Sequence, residues 1–289
     1  MSAPPREVIR IAVSMTAACA IGAAILGGVY VGTERYAEAA RVQSERRAVS
    51  EMLALEPGTP VLEVRQYVWP ERREVIYRTA GGGAETDLAF TFEGDLVDRE
   101  GANPAGAANP GAAADEEKRW KPMGRLFVAG RSPALAGFVV EGESRGYKNR
   151  IRFFVALDEE FRISGVRVVQ HEEDPGLGAE VATPWFQSQF EGRQAPDLAA
   201  LDVTKDPMPE DWRAALMDRR RMAAGAWRDR YGSLAEREAV RPIYAVTGAT
   251  ISSRALTDGV RTTVDHFRHR WELIGPHLIG GNPASRGNP

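Results

Sequence analysis

Two short stretches of the sequence contain residue types whose spacing suits ligand binding. The first is TGATISS, residues 247–253, which directly precedes a long helical pattern near the C-terminus. The N-terminus of a helix presents free backbone N–H groups and the positive end of the helix dipole, so it favours phosphate and other anions. Small residues leave room for close approach and hydroxyl groups add donors: these are Thr247, Gly248, Ala249, Thr250, Ser252 and Ser253.

Taken alone, TGATISS also suits an ordinary helix cap. Ser252 or Ser253 would then be the N-cap residue, and the small residues would serve a tight turn. The stretch lacks the lysine and the glycine-rich run that usually accompany a phosphate loop. Its spacing by itself therefore favours the cap over a binding site.

The second stretch is HEEDPGLG, residues 171–178. The pair Pro175-Gly176 predicts a rigid type II turn, for which this dipeptide is well suited. Gly178 allows a flat ligand near the backbone, and Leu177 between the two glycines offers an apolar surface on which a planar ring can rest. A type II turn without any ligand is the alternative interpretation of the same residues.

Together the two stretches resemble a known family. The pattern H-x-E-x-PGLG, followed about 70 residues later by TGAT-x-SS, is similar to the FMN-binding domain of the G subunit of Rnf-type electron transport complexes. The C subunit of the sodium-pumping NADH:quinone oxidoreductase is similar as well. The order of the other elements agrees: a membrane helix, a stalk, a sheet with Gly146-Tyr147 before a strand, and then the two motifs.

The resemblance implies a cofactor and its site. In the family, FMN is joined through its phosphate to the last threonine of the TGAT motif, which is Thr250 in this sequence. The residues implied around the phosphate are Thr247, Gly248, Ala249, Ile251, Ser252 and Ser253. The residues implied near the isoalloxazine ring are Glu173, Pro175, Gly176, Leu177 and Gly178. Gly146 and Tyr147 are also predicted to belong to the cofactor site. The implied role is an electron-carrying subunit of an Rnf-like complex, not a catalyst on its own.

One position departs from the family pattern. The attachment motif usually begins with an aspartate six residues before the acceptor threonine, and this sequence has Tyr244 there. If the flavin transferase reads that aspartate, covalent attachment here would be inefficient or absent. Two other hypotheses therefore stay open: an accessory subunit that keeps the fold without covalent flavin, and a stand-alone flavoprotein that feeds another reductase.

The N-terminal region predicts a membrane anchor. Residues 11–31 contain no charged side chain, and as a helix they would span roughly 30 Å, enough for the core of a bilayer. Arg6 and Arg10 precede the run, so the positive-inside rule puts the N-terminus in the cytoplasm and the following domain in the periplasm. A cleaved signal peptide is the alternative, but its apolar region would be shorter.

The remaining patterns predict an α+β fold. Residues 1–33 form the cytoplasmic N-terminus and the anchor, 34–56 a helical stalk, and 57–278 an antiparallel-sheet domain with flanking helices. Residues 80–118 and 205–238 are predicted insertions, the first a loop rich in Gly, Ala and Pro and the second one or two amphipathic helices. The last helix has a periodic apolar face, and residues 279–289 form a disordered tail.

Composition excludes several classes of function. A net charge of −3 provides no electrostatic basis for binding nucleic acid. The single cysteine excludes a disulfide framework or an iron–sulfur cluster held by this chain, and four scattered histidines predict no metal site. The partners predicted instead are other membrane subunits of an electron transport complex, the flavin transferase and membrane lipid.

Overall fold

The computed structural model describes residues 5–81, 84–97, 119–131, 134–194, 198–219 and 221–279. Its contacts divide the chain after Ala48 into two units. The first unit belongs to helix α1, Pro5–Met52, which also continues through most of the predicted stalk. Among the described residues, Val13–Tyr30 is the one helical span long and apolar enough to cross a membrane, and none of it is buried.

In its described residues, the second unit contains an antiparallel sheet of eight strands. These strands are β1 (Val61–Trp69), β2 (Glu74–Gly81), β3 (Ala84–Thr91), β4 (Leu96–Val97), β5 (Lys121–Arg131), β6 (Ala134–Arg145), β7 (Arg150–Leu157) and β8 (Ile163–Gln170). Their order across the sheet is β4-β3-β2-β1-β5-β6-β7-β8, so strands that are neighbours in this part of the chain mostly pair with each other. The sheet and its helices confirm the predicted α+β class.

Among the described residues, four helices with both ends described and a small second sheet follow the main sheet. The helices are α2 (Pro184–Gln187), α3 (Glu210–Asp218), α4 (Ala224–Ala239) and α5 (Thr250–Ile279). The second sheet consists of β9 (Val203–Thr204) and β10 (Ile243–Tyr244), which pair in parallel. Short 3-10 turns at Gly178–Ala182 and Ser188–Phe190 flank α2.

Strand β7 shows why the sheet is buried on both faces. Ile151, Phe153 and Val155 point to one face and belong to the main hydrophobic core, whereas Phe154 and Ala156 point to the other face. Successive side chains of a strand alternate between faces, so a continuous apolar run fills two layers at once. One of those layers is completed by α5 and the other by the last turn of α1.

Helix α5 packs its predicted apolar face against the sheet. Leu256, Val260 and Val264 are fully buried, and they recur at the spacing of one helix face. Further along the helix, the Phe267 ring lies 5.0 Å from the ring of Phe138 on β6, centroid to centroid. This packing fixes the position of the first turn of α5, where TGATISS lies.

The prediction of a loop over residues 80–118 is wrong for the described part of that range, which pairs with the main sheet, and both predicted insertions contribute to the folded unit. The described part of residues 80–118 includes β3 and β4 at the edge of the main sheet, and residues 82–83 and 98–118 lie outside the described residues. Helices α3 and α4, within 205–239, bury Trp212 and Trp227 against Tyr244 of β10. Most of the predicted tail, residues 280–289, is also outside the described part of the chain.

Candidate functional site

The two motifs lie in loops that touch each other. HEEDPGLG follows β8, and TGATISS connects β10 to the first turn of α5. Gly248 has a φ of +78°, and a Cβ atom built on it would lie 3.1 Å from Leu177 Cδ2. The two loops are therefore in van der Waals contact, and a side chain at position 248 would be both strained and crowded.

The PGLG segment forms the turn that its sequence predicts. Leu177 N donates a hydrogen bond to Asp174 O at 3.2 Å, so residues 174–177 close a four-residue turn. Gly176 occupies its third position with a φ of +74°, and Pro175 precedes it, as a type II turn requires. Leu177 is left 47% exposed at the surface of the loop.

Glu173 connects the PGLG loop to the β6–β7 hairpin and to α5. Its side chain is only 4% exposed. Oε1 accepts hydrogen bonds from Lys148 N at 2.9 Å and Asn149 N at 3.3 Å, and Oε2 accepts one from Tyr147 N at 3.2 Å. The Ser252 hydroxyl also donates to Oε2. One buried carboxylate thus holds three segments of the site together.

Two glycines make room for this carboxylate. A Cβ atom on Gly146 would lie 2.4 Å from Glu173 Oε1. A Cβ atom on Gly178 would lie 2.6 Å from Glu173 Oε2 and 2.8 Å from Ser252 Oγ. These separations are too short for non-bonded atoms, so both positions need glycine because of the Glu173 carboxylate.

The surroundings of Glu173 favour its ionised form. Burial by itself would raise the pKa of this carboxyl. The hydrogen bonds donated by Ser252 and by the three backbone N–H groups together outweigh burial, so the pKa of Glu173 lies below its ordinary value. The carboxylate is therefore charged at neutral pH.

The serines of TGATISS are buried within the first turn of α5. The helix begins at Thr250, so neither Ser252 nor Ser253 is its N-cap residue, contrary to the cap interpretation of the sequence. Ser253 Oγ accepts a hydrogen bond from Val246 N and donates one to Ala249 O, each at 3.0 Å. Both serine hydroxyls thus already have protein partners, and they are at most 1% exposed.

The threonines of the motif remain accessible. Thr247 is exposed and Thr250 is partly buried. Both line an open cleft of about 690 Å³, which lies within the range of roughly 300–1,000 Å³ usual for small-molecule sites. Gly176 and Gly248 line the same cleft, so both motifs contribute to it.

The cleft is also lined by residues that no sequence motif indicated. Trp185 of α2 and Met208 provide apolar surface there, and Lys205 and Arg213 provide two cations. Arg213 lies on α3 with its guanidinium carbon 5.5 Å from the centre of the Trp185 ring. No motif marks these residues in the sequence, and charged helices beside a sheet are usually solvent-exposed surface.

The cleft suits a ligand that combines a phosphate with a flat ring. Thr250 stands at the N-terminus of a 30-residue helix, where backbone N–H groups and the helix dipole favour an anion. Lys205 and Arg213 offset the charges of Glu180 and Asp206, which also line the cleft, and Trp185 and Met208 add the apolar surface that a ring system needs. The residues present therefore fit a flavin mononucleotide.

The fourteen residues predicted for the site fall into three groups. Those lining the cleft are Gly176, Thr247, Gly248 and Thr250. Those in the cluster around Glu173, or buried at or just before the start of α5, are Gly146, Glu173, Gly178, Ala249, Ser252 and Ser253. Those exposed on the surrounding loops and helix start are Tyr147, Pro175, Leu177 and Ile251.

Tyr244, the departure from the family pattern, does not line this cleft. It is 4% exposed and packs with Trp212 and Trp227 in the hydrophobic cluster of α3 and α4. Its hydroxyl donates to Glu238 Oε2 at 2.9 Å. The side chain at position 244 is therefore directed into the packing of these two helices.

Comparison with known proteins gives one family match. Residues 146–265 match the family described as FMN-binding domain. This range contains both motifs, the Glu173 cluster and the residues that line the cleft. The predicted resemblance is confirmed by this match and by the relatives described next.

Several curated relatives are subunits of ion-translocating complexes. The chain is 29% identical over 139 residues to the G subunit of the proton-translocating ferredoxin:NAD(+) oxidoreductase complex of Clostridium ljungdahlii, a match that covers 48% of this chain and 57% of the relative. It is 29% identical over 133 residues to the G subunit of the ion-translocating oxidoreductase complex of Methanosarcina acetivorans, covering 46% and 52%. The matched segments thus span about half the length of these relatives.

Among solved structures, the crystal structure of Shewanella oneidensis NqrC is similar to this chain. The similarity covers 80% of this chain and 99% of that one, with 16% sequence identity and a TM-score of 0.44.

Proposed function

We propose that this chain, with an FMN-binding domain at residues 146–265, carries electrons on an FMN held by a phosphoester bond to Thr250. The observation that carries the proposal is the position of Thr250, partly exposed in the cleft at the N-terminus of α5. The neighbouring serines are buried and hydrogen-bonded within the protein. Thr250 and Thr247 are the hydroxyl groups of the motif that a phosphate can reach.

The residues around Thr250 would stabilise the phosphate without the lysine of a phosphate loop. Backbone N–H groups in the first turn of α5 face the anion, and the helix dipole adds to their effect. Attachment would form the bond from Thr250 Oγ to phosphorus, break the phosphoanhydride bond of the co-substrate so that its second phosphate group leaves with its nucleoside, and release the hydroxyl proton. The co-substrate is a flavin nucleotide with an activated phosphate, used by a flavin transferase.

The protein would position the ring and exclude part of the solvent. When bound, FMN supplies the electron-transfer chemistry, and the chain needs no general base or nucleophile of its own. Leu177 and Ile251 are 47% and 58% exposed on the loop and helix start next to the threonines. They offer apolar surface at the edge of the cleft, where a ring can stay accessible to a redox partner.

The cellular setting follows from the relatives and the N-terminal helix. The relatives are named as subunits of ion-translocating oxidoreductase complexes, so other membrane subunits of an Rnf-like complex are the proposed electron partners. Val13–Tyr30 would anchor the chain in the inner membrane lipid as a single pass. Arg6 and Arg10 would keep the N-terminus cytoplasmic, with the FMN-binding domain in the periplasm.

A second candidate is an accessory subunit that has lost the covalent flavin, and Tyr244 is the observation behind it. The geometry favours FMN binding over this alternative, because the Tyr244 ring packs among α3 and α4 and leaves the cleft open. The effect of Tyr244 on the transferase is a separate question, which the mass of the protein answers directly.

The test is the intact mass of the full-length protein from a host that supplies the transferase. The expected result is a mass increase of FMN minus water and a flavin-fluorescent band in a denaturing gel. Both are lost in Thr250→Ala and kept in the control Thr247→Ala. A wild-type protein without added mass contradicts the covalent proposal and supports the accessory subunit. Co-purification of other membrane subunits separates the complex subunit from a stand-alone flavoprotein.

A further inference from the structure

We infer that Arg213, which lines the same cleft as Thr250, binds the phosphate of the flavin. The inference rests on the proposed function and adds a ligand contact from α3, outside the two motifs. Arg213 lines the cleft together with Thr250, although α3 belongs to a segment that the sequence presents as an insertion. The insertion would thus complete the cofactor site.

The charges lining the cleft explain why this arginine matters. Lys205 and Arg213 are its two cations, and Glu180 and Asp206 also line it. Asp206 accepts a hydrogen bond from Thr204 Oγ1 at 2.8 Å. With Arg213 present, the charges of these four side chains sum to zero. The positive end of the α5 dipole then favours an anion in the cleft. Without Arg213 the two carboxylates face a single lysine, and a bound phosphate would be repelled.

Arg213 is also the better placed of the two cations. Among the described residues, neither Arg213 nor Lys205 forms an ion pair with a carboxylate, so both are available to a ligand. The Trp185 ring lies beside the Arg213 guanidinium, which restricts the directions the side chain can take. A planar guanidinium can also donate two parallel hydrogen bonds to phosphate oxygens, whereas a lysine presents a point charge.

The experiment measures reversible flavin binding to the full-length chain carrying Thr250→Val, which cannot form the ester. FMN and riboflavin are titrated separately, because riboflavin has the ring system without the phosphate. Arg213→Gln is expected to raise the Kd for FMN about tenfold, the loss of one charge-assisted contact, with the Kd for riboflavin unchanged. Arg213→Lys, which keeps the charge, is expected to give an intermediate Kd for FMN.

The matched control is Arg230→Gln on α4. Arg230 is exposed and lies 5.1 Å from the centre of the Tyr231 ring, but it does not line the cleft. Its removal is expected to leave both dissociation constants unchanged. Equal losses of FMN and riboflavin affinity in Arg213→Gln, or no loss at all, overturn the phosphate contact while leaving the Thr250 proposal intact. A protein that binds neither flavin before Arg213 is changed contradicts the proposed function itself.

Discussion

The Glu173 carboxylate accepts hydrogen bonds from four donors on two separate segments, and it is almost completely buried. Glu173→Gln replaces one acceptor oxygen by an amide nitrogen that faces donors. We expect the free energy of unfolding to fall by about 2–3 kcal/mol, as for buried hydrogen bonds to charged groups. Urea unfolding at pH 7 measures this change. Glu172→Gln is the control, since Glu172 is exposed, and it should change stability by less than about 0.5 kcal/mol.

The lowered pKa of Glu173 also predicts a dependence of stability on pH. Hydrogen bonds to the ionised form hold the pKa of Glu173 in the folded protein below its value in the unfolded chain. An unperturbed glutamate has a pKa of about 4.3. The stabilisation is therefore fully present above that value, and it is lost as pH falls through the folded-state pKa. We expect the stability difference between wild type and Glu173→Gln to shrink below about pH 4. A difference that stays constant down to the onset of acid unfolding contradicts this account.

Substitution of Gly178 tests whether the Glu173 carboxylate needs the space left by the absence of a side chain at position 178. In Gly178→Ala the new Cβ would lie 2.6 Å from Glu173 Oε2, so the cluster must shift. We expect a loss of about 1–3 kcal/mol in the free energy of unfolding, as for other overpacked sites. Gly225→Ala is the matched control, because nothing lies within 4 Å of a Cβ there and the residue is in a helix. That substitution should be neutral or stabilise the protein by up to about 1 kcal/mol.

The sequence made some of these residues predictable and others not. The turn at Pro175-Gly176 and the start of a helix near Thr250 follow from local residue preferences, which act over a few neighbours. The Ser252–Glu173 hydrogen bond joins residues 79 positions apart, so no local pattern reports it. That the two motifs form one site was predicted from the resemblance to a family, not from their spacing.

At the scale of elements, α3 and α4 are helices whose existence, but not whose packing, could be predicted from the sequence. Their amphipathic composition predicted helices correctly, but it could not say which surface they cover. Their aromatic residues pack around Tyr244, which lies three positions before the start of TGATISS in the chain. Arg213 on α3 reaches the cleft as a result. The helices and the tyrosine at position 244 form one packing unit, which accounts for an aromatic residue at this position.

Tyr244→Phe tests the connection between α4 and the loop that carries Thr250. The change keeps the ring and removes the hydroxyl that donates to Glu238, a residue 6% exposed. We expect the free energy of unfolding to fall by about 1–2 kcal/mol, because the buried carboxylate loses a donor. Flavin attachment should be unchanged, since the ring does not line the cleft. Tyr147→Phe, at a position 68% exposed, should have little effect on stability, and an equal loss there contradicts the argument.

At the scale of the whole molecule, the apolar segment of α1 should hold the mature chain in the membrane. An arginine at the centre of a membrane helix costs about 2.5–3.5 kcal/mol on insertion into the bilayer. The double variant Ile21→Arg, Ile25→Arg should therefore be extracted from membranes by alkaline carbonate, whereas the wild type should resist extraction. Val42→Arg is the control, because it adds a charge to the same helix outside the apolar span and should leave extraction unchanged. The intact mass of the wild type should include residues 1–33. A mature protein that lacks them, and that is released without detergent, establishes a cleaved signal peptide in place of the anchor.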